Sequence, residues 1–378
     1  MSTTEHGSPT MSVNPTEQAV ISDTQQPTFR TSTVEFSGQG GEFFGIWIVN
    51  ILLTILTLGI YSAWAKVRTQ QYFYGHTKVD GHAFRYLATP IQILKGRLLA
   101  FAVIAVLSIL SQLIPIFNLI FLVIAIFVMP WLLIQGLKFN LRMTAYRNVR
   151  FGFHGSYGEA FLNFIVFPVI ALFTFYLLMP YVLKRMDKFI YDNVSYGGKK
   201  LTVHTKTGTY YEAAFKVIGV SFAAGIVLAI VFGILASVVG LNLTGDDIGA
   251  AGGMMGILMG VIYMLGYVLV ISLIQAIYRT TIRNHLFANA ELENLATFKS
   301  NAATVEYSVL LATNYLMICF SLGLAYPVAK VRHAAYLASV TEVSVNTEID
   351  KLTDPLTQES STFLEEAADL YDIDFSLT

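Results

Sequence analysis

The chain of 378 residues contains a single cysteine, Cys319. One thiol cannot form a disulfide within the chain and supplies too few ligands for a cysteine-based metal site, so both are excluded. Charged residues are also scarce, at 13% of the chain, whereas ordinary soluble domains carry roughly 25%. Hydrophobic residues make up 54%, and several apolar runs exceed the roughly 18 residues that favour a membrane-spanning helix. The sequence is therefore that of an integral membrane protein.

Motifs of known chemistry are missing as well. There is no P-loop, zinc-protease helix or nucleophile elbow, and the seven histidines lack metal-ligand spacing. No Asp, Glu, Lys or Arg lies in the middle of an apolar segment, where ionisable groups usually mark proton or ion relays. We therefore predict no enzyme activity, no metal and no cofactor. The N-terminus also lacks a basic stretch followed by an apolar one, so we expect insertion to depend on internal helices.

Composition divides the chain into three parts. Residues 1–28 are rich in Ser, Thr, Gln and Pro, which is typical of a disordered tail. Residues 29–340 form the predicted transmembrane domain, and residues 341–378 form an acidic C-terminal tail. The apolar segments of the membrane domain lie at about 43–62, 98–114, 116–137, 160–183, 213–239, 254–277 and 307–328.

The connections between these segments indicate a fold. The second and third segments, and the fifth and sixth, are joined by turns into two helical hairpins, while the other three stand alone. Short β-like pieces lie between the units, and Asp80-Gly81 and Gly197-Gly198 favour hairpin turns. These pieces are candidates for a small β layer outside the bilayer. The sequence thus predicts an all-α polytopic membrane protein, with internal repeats of single helical units and helical hairpins and with short β-hairpins in cytoplasmic loops.

The three single units resemble one another. Residues 57–68 read TLGIYSAWAKVR, and residues 321–332 read SLGLAYPVAKVR. A Pro or Ala lies five residues before the final Arg of each unit, and Pro is favoured in the first turn of a helix. We therefore expect a break near Gly59 and Gly323, followed by a second, basic helix. In each unit a Glu precedes the Arg by 26 residues, at Glu42 and Arg68, Glu159 and Arg185, and Glu306 and Arg332.

The distribution of positive charge leaves two topologies open. If all seven apolar segments cross the membrane, the two sides receive 11 and 13 of the 24 basic residues. If the single units re-enter, all 24 lie on one side, which the positive-inside rule makes cytoplasmic. Two arguments oppose re-entry. The first 18 residues of a unit reach about 27 Å, nearly across the hydrocarbon, and a non-helical tip in lipid leaves backbone groups unpaired. We favour re-entry.

A stretch near the N-terminus carries a family resemblance. It begins FSGQGGEFFGIWIVN at Phe36 and continues to YLATPIQILKGRL, which ends at Leu98. This stretch resembles the YjgN-like family, a group of uncharacterised bacterial inner-membrane proteins that share a domain of unknown function. Ala63 departs from the pattern, because the family is expected to place Pro before the Trp. The resemblance implies a location in the bacterial inner membrane, with multiple passes, and implies no activity.

Two sets of polar residues are candidate sites. The basic residues at helix ends lie beside aromatic residues and are candidates for binding anionic lipid headgroups; the alternative is routine anchoring at the membrane interface. Asn50 and Asn314, each eight residues after its Glu, are candidates for lining a polar pathway; the alternative is hydrogen bonding between helices. The candidate headgroup residues are Lys66, Arg68, Arg142, Arg185, Arg283 and Arg332.

Two functions are compatible with these features. Transporters often contain repeats with interrupted helices, so the first hypothesis is a pathway or pocket for a small or amphipathic solute. The second is a membrane scaffold or lipid-interacting protein whose acidic tail binds a protein partner. The lipid bilayer is the principal partner in both, and no nucleic acid is expected.

Overall fold

A computed structural model describes residues 29–114, 116–239 and 250–347, together with Ile349. The predicted N-terminal tail, residues 1–28, therefore lies outside the described residues. So does the acidic tail from residue 348 onwards, apart from Ile349.

The described helices form five units, each of which leaves a β-sheet and returns to it. Units one, three and five are short and bent, and units two and four are long hairpins. Unit one is α1 (Gly40–Leu56) and α2 (Ser62–His76); unit two is α3 (Pro90–Leu113) and α4 (Ile116–Arg142); unit three is α5 (Tyr157–Phe161), a π-helical turn (Leu162–Val166), α6 (Phe167–Phe173) and α7 (Met179–Asp192); unit four is α8 (Thr207–Val239) and α9 (Ala250–Ala288); unit five is α10 (Thr304–Phe320) and α11 (Tyr326–Ser339).

The long hairpins supply the membrane-spanning segments. Within the described residues, four helices are long and apolar enough to cross a bilayer, over Pro90–Leu113, Ile116–Arg142, Thr207–Ile234 and Met259–Ala288. Their side chains are almost entirely exposed, which in a bilayer means contact with lipid. The prediction of a polytopic membrane protein is confirmed.

The strands lie between the helical units and are all antiparallel. The order across the sheet is β1-β11-β10-β9-β8-β7-β6-β5-β4-β3-β2 in the part of the chain that is described. The bounds are β1 (Phe29–Thr33), β2 (Glu35–Phe36), β3 (Thr77–Val79), β4 (His82–Tyr86), β5 (Thr144–Tyr146), β6 (Val149–Phe153), β7 (Val194–Tyr196), β8 (Lys199–Val203), β9 (Ala290–Leu292), β10 (Ala296–Ser300) and β11 (Thr341–Asn346).

The sheet closes on itself through its N-terminal segment. Strands β1 and β2 are at opposite ends of the strand order, yet only Val34 separates them along the chain. β1 pairs with β11, with Thr31 opposite Ser344. β2 pairs with β3, with Phe36 opposite Thr77. One continuous segment therefore bridges the last strand and the first hairpin, and the sheet nearly closes into a barrel.

The predicted all-α fold class is wrong. The short hairpins are not independent features of separate loops, because they pair with one another across gaps of more than 40 residues to make one sheet. No local periodicity encodes such pairing, since each strand has only two to six residues. The first six residues of the segment assigned to the acidic tail, Thr341–Asn346, form strand β11 between β1 and β10.

Tight turns set the register of the hairpins. Three of the hairpins have two-residue turns in which both residues have positive φ, the geometry of type I′ turns, which matches the twist of the flanking strands. Only Gly, Asn and Asp adopt this conformation readily. The turns are Asp80-Gly81, Arg147-Asn148 and Gly197-Gly198.

An apolar core fills the turn end of the barrel. Val79, Tyr146 and Tyr196 occupy the same position in successive hairpins, immediately before the turn, and all three are buried. The Tyr146 hydroxyl donates to the Val79 carbonyl at 2.9 Å, and the Tyr196 hydroxyl donates to the Tyr146 carbonyl at 2.9 Å. Burial raises the pKa of Tyr146, so its hydroxyl stays protonated and keeps its role as a donor. These bonds tie each hairpin to the previous one.

The positions of the strands in the barrel determine the arrangement of the helical units. Each unit begins directly after one strand and ends directly before another strand of the same sheet. Both ends of every unit therefore lie on one face of the helical region. The helices also pack as a ring, because α1 contacts α2 on one side and α11 of unit five on the other. Glu42, Glu159 and Glu306 lie in first turns, where a carboxylate favours the helix dipole.

The bent units share one tip geometry. The second residue of each tip has a left-handed φ near 50°, at Leu58 (49°), Phe175 (50°) and Leu322 (52°), and the next residue also has positive φ. Their side chains are 96%, 95% and 93% exposed. The three tips, over residues 57–61, 174–178 and 321–325, are therefore turns that present apolar side chains away from the barrel.

Hydrogen bonds within the tips leave no amide unpaired. In unit one, every backbone N–H from Thr57 to Ala63 donates to an acceptor in the same unit. One acceptor is the Thr57 hydroxyl, which receives the N–H of Tyr61 at 2.9 Å. Thr174 and Ser321 do the same in units three and five. The expected obstacle to a non-helical tip in lipid is thus removed by the turn itself.

We expect Asp80→Asn to destabilise the barrel. Asp80 pairs with Arg147 at 2.6 Å and with Arg30 of β1, so it fastens the closing strand to the first hairpin. The side chains of Arg147 and Asp80 are only 9% and 12% exposed. Asparagine tolerates the positive φ of residue 80, so the variant changes charge without disturbing the turn. The free energy of unfolding should fall by about 2 kcal/mol.

Thermal unfolding in detergent measures this change. Glu293→Gln is the matched control, because Glu293 also lies in a hairpin turn, and its pair with Lys199 is exposed and long, at 3.6 Å. That variant should unfold at nearly the temperature of the native protein. An equal loss in both variants would contradict a special role for Asp80.

Candidate functional site

The bent units each carry an asparagine on the first helix and an arginine on the second. In unit five, Arg332 donates to the Asn314 side-chain oxygen at 2.8 Å and to the Thr313 hydroxyl at 3.2 Å. The Asn314 amide donates to the Ala329 carbonyl at 3.2 Å. Asn314 is buried, and all of its contacts are internal. These bonds hold α10 against α11, which agrees with the alternative of interhelical hydrogen bonding.

Unit three has a similar pair at a different spacing. Arg185 donates to the Asn163 side-chain oxygen at 3.3 Å, and its guanidinium lies over the Phe167 ring at 5.4 Å. Asn163 is four residues after its Glu, whereas Asn50 and Asn314 are eight residues after theirs. A π-helical turn accounts for the different path, since Pro168 has no N–H with which to continue the α-helical ladder.

Unit one lacks the corresponding bond. Asn50 is only 4% exposed, and neither its side-chain oxygen nor its amide has a hydrogen-bond partner in the described residues. Arg68 is exposed and lies over the Tyr61 ring at 5.9 Å. A buried side-chain amide without hydrogen-bond partners lowers the stability of the fold. Among the described residues, unit one therefore has the least complete hydrogen bonding at this position.

The other candidate headgroup residues have diverse surroundings. Lys66 is half-buried in α2, and burial lowers its pKa, with a smaller contribution from Arg97. Arg142 lies in the last turn of α4. Arg283 of α9 donates to the Thr341 hydroxyl at 2.8 Å and stacks on Phe287 at 4.3 Å. The six basic residues are therefore spread over five helices, and the fold does not gather them into one cluster.

A lateral cavity of about 400 Å³ lies between units three and four. Its mouth includes Leu177, Phe215 and Ile218, which are 61–70% exposed. Its walls are otherwise mostly apolar and aromatic. The lining residues are Tyr176, Leu177, Met179, Pro180 and Leu183 of unit three, and Tyr210, Tyr211, Ala214, Phe215, Val217, Ile218, Ile274, Gln275, Tyr278 and Arg279 of unit four.

Polar groups converge on one part of the lateral cavity. The Tyr210 hydroxyl donates to Asp187 at 2.8 Å, and Gln275 accepts from the Tyr315 hydroxyl at 2.8 Å. Both polar groups are thus occupied by protein partners. Arg279 is exposed and forms no ion pair or hydrogen bond within the described residues. Arg279 is therefore a cation at the lateral cavity that has no acidic partner among the described residues.

Sequence reasoning missed the residues that matter here. Asn163 was overlooked because its spacing from Glu159 is shorter by one helical turn. Arg279 and Gln275 were overlooked because a single polar residue near the end of a long apolar helix resembles routine anchoring. Conversely, neither Asn50 nor Asn314 lines the lateral cavity. A pathway through these two asparagines stays a prediction.

Comparison with known families identifies the chain. A model described as "Bacterial protein of unknown function (DUF898)" matches residues 31–370, nearly the whole sequence. The chain belongs to this family. The match includes the barrel strands, all five helical units and most of the C-terminal segment, so the family is defined by the combined architecture. The resemblance to the YjgN-like family that Phe36 to Leu98 carries is confirmed.

Curated relatives of the DUF898 member carry the name "Inner membrane protein YjgN". The protein from Salmonella typhimurium (strain LT2) is 32% identical over 148 residues, which are 39% of this chain and 38% of the relative. Those from Escherichia coli O157:H7 and strain K12 are each 33% identical over 122 residues, or 32% of this chain and 31% of each relative. The alignments thus span about a third of the length of these relatives. No solved structure matches this chain significantly.

Leucine substitutions at the two asparagines should have opposite consequences. Asn314→Leu leaves Arg332 without its main acceptor, so we expect the free energy of unfolding to fall by about 1–3 kcal/mol. Asn50→Leu removes a buried amide that has no partner, so the stability of this DUF898 member should stay constant or rise. Thermal unfolding of the two purified variants in one detergent tests the pair. Equal losses would show that Asn50 is satisfied by groups other than those described.

Proposed function

We propose that this protein resides in the bacterial inner membrane with its β-barrel on the cytoplasmic side. The curated relatives are named as inner-membrane proteins. The residues that connect α3 to α4 and α8 to α9, 114–115 and 240–249, contain no Lys or Arg in the sequence. Positive charge is therefore concentrated towards the barrel, and the positive-inside rule favours a cytoplasmic position for that face.

We further infer that the bent units are structural repeats that re-enter the membrane from the barrel side and return to it. Helix α1 has 17 residues and is about 25 Å long, whereas α8 has 33 residues and is about 50 Å long. Starting from the same barrel, the bent units reach about half as far as unit four. The backbone N–H groups of their apolar tips are all paired within the unit, which lowers the cost of contact with acyl chains.

Cysteine labelling tests this topology. In a Cys319→Ser background, single cysteines at Lys78 and Lys199 in the barrel should both resist a membrane-impermeant maleimide in intact spheroplasts. Both should react in inverted vesicles. A cysteine at Asp246, in the sequence between α8 and α9, is the matched control and should show the opposite pattern. Reaction of Lys78→Cys and Lys199→Cys from opposite sides would contradict the proposal.

The function that the geometry supports best is binding of an amphipathic, lipid-like molecule in the lateral cavity. The observation that carries it is the combination of an apolar, laterally accessible mouth with one uncompensated cation, Arg279. Arg279 is nine residues from the end of α9, about 14 Å from the barrel. At that depth Arg279 can contact a lipid headgroup, and the apolar walls of the lateral cavity can contact an acyl chain.

An anionic amphiphile matches these features better than a neutral one. A guanidinium without a carboxylate partner binds phosphate or carboxylate by paired hydrogen bonds. The tip of unit three forms part of the cavity, because Tyr211 donates to the Leu177 carbonyl at 3.1 Å and fixes α8 against the tip. The bent unit thus helps to build the site. This function is one of binding and requires no catalytic group.

Native mass spectrometry of protein released from nanodiscs tests the binding of lipid. With equal phosphatidylglycerol and phosphatidylcholine in the disc, we expect one retained phosphatidylglycerol per chain. Ala214→Trp fills the cavity and should abolish retention, and Arg279→Gln should reduce it about ten-fold because the charged hydrogen bonds are lost. Arg68→Gln is the control, since Arg68 is exposed in unit one. Equal retention in Arg279→Gln and Arg68→Gln would contradict the proposal.

A further inference from the structure

A second cavity, of about 380 Å³, is lined by strands of the β-barrel. It shares no lining residue with the lateral cavity. Its walls come from strands on all sides of the barrel, including Phe84, Phe151 and Phe298, and from α9 and α11. The volume lies within the range of small-molecule sites, about 300–1,000 Å³. Such a barrel has room for a ligand as well as for its own side chains.

The turn end of this barrel cavity is apolar. Val79, Tyr146, Tyr196 and Leu292 pack there with Ile349, which is 6% exposed. The hydroxyls of both tyrosines are already bonded to backbone carbonyls of neighbouring hairpins. This end therefore offers aromatic and aliphatic surface and little hydrogen bonding.

The helix end of the barrel cavity is polar. Ser300 and Thr341 are directly opposite each other on β10 and β11, and alternation along these strands places both on the inward face with Phe298 and Val343. Arg283 and Thr341 line the cavity, and the Arg283 guanidinium donates to the Thr341 hydroxyl. Arg283 and Thr341 therefore meet at one end of an apolar chamber, and Ser300 lies next to Thr341 on β10 without lining the cavity.

Two of these polar groups lack partners. The Ser300 hydroxyl belongs to a side chain that is 95% buried, yet no hydrogen bond reaches it from the described residues. The Arg283 Nε–H is also buried and unpaired. No carboxylate of the described chain forms an ion pair with Arg283, and its electrostatic neighbours are Tyr191, Tyr307 and Tyr336. Buried polar groups of this kind are normally satisfied, so the arrangement indicates a missing acceptor.

We propose that the barrel cavity binds a small aromatic carboxylate from the cytoplasm. The carboxylate accepts from the Arg283 Nε–H, which supplies a missing hydrogen bond and the missing negative charge. The aromatic ring lies among Phe84, Phe151 and Phe298, where offset and edge contacts between rings are favourable. The occupant is a soluble metabolite-sized anion, chemically distinct from the membrane lipid of the lateral cavity.

Isothermal titration of the full-length protein in detergent tests this site. The probe is 2-naphthoate, and the matched neutral probe is 2-naphthamide, which has nearly the same shape without the charge. We expect 2-naphthoate to bind with one site per chain and 2-naphthamide to bind at least ten-fold more weakly, since a charged hydrogen bond is lost. Equal affinity for both probes, or no binding of either, would overturn the proposal.

Substitutions at the barrel cavity test whether 2-naphthoate binds there. Arg283→Gln should weaken 2-naphthoate about ten-fold and leave 2-naphthamide unchanged. Arg283→Lys keeps the positive charge but loses the Nε–H, so it should weaken 2-naphthoate only a few-fold and keeps the test valid if Arg283→Gln does not fold. Ala334→Leu adds volume to a lining position on α11 and should weaken both probes.

The lateral cavity provides the control. Arg279→Gln and Ala214→Trp should leave 2-naphthoate binding unchanged, because neither residue lines the barrel cavity. If these two variants abolish binding while Arg283→Gln and Ala334→Leu do not, the probe occupies the lateral cavity and the inference is wrong. Failure of lipid retention in nanodiscs would leave this result untouched, so the two proposals stand or fall separately.

Discussion

Closure of the sheet by one segment, residues 29–36, is the constraint on which the rest of the structure depends. Backbone hydrogen bonds from this segment run to β11 on one side and to β3 on the other. Once the ring is closed, the positions of all ten helix ends that join it are fixed, because each unit is tied to the barrel at both ends by very few residues. The helical ring, the common direction of the tips and both cavities are consequences of that closure. An open sheet would leave two edges and no enclosed space.

A second constraint is the pairing of backbone groups away from water. Each bent unit has a turn in which two residues have left-handed φ and one hydroxyl side chain accepts a backbone N–H. Every backbone N–H near the tip therefore has an acceptor within the unit. Glycine provides the second left-handed residue in units one and five, while Tyr176 adopts it in unit three at greater conformational cost. The hydroxyls of Thr57, Thr174 and Ser321 are thus part of the backbone structure, although their sequence surroundings differ.

The sequence allowed some of these features to be predicted, because they are local. Apolar length identified the spanning helices, Asp80-Gly81 and Gly197-Gly198 identified hairpin turns, and Gly59 and Gly323 marked two of the three tips. Features that depend on contacts between distant segments could not be predicted. Strand pairing such as Phe151 with Tyr196 leaves no periodic signature in strands of three to five residues. For the candidate sites, polarity identified Asn314 and Arg332, yet only the fold shows that they bond to each other and that Arg279 and Arg283 face different cavities.

The pairing of β1 with β11 also has a consequence for biosynthesis. Thr31 lies opposite Ser344, so the contact that seals the ring joins residues 313 positions apart. The ribosome must translate residue 344 before this contact becomes available. Until β11 is translated, the earlier strands can pair only with one another, and the contact between β1 and β11 is missing. Nascent chains interrupted before residue 341 retain two unsatisfied strand edges, which are surfaces that chaperones and proteases recognise. A chain that ends before β11 therefore differs from one that contains it by these exposed strand edges.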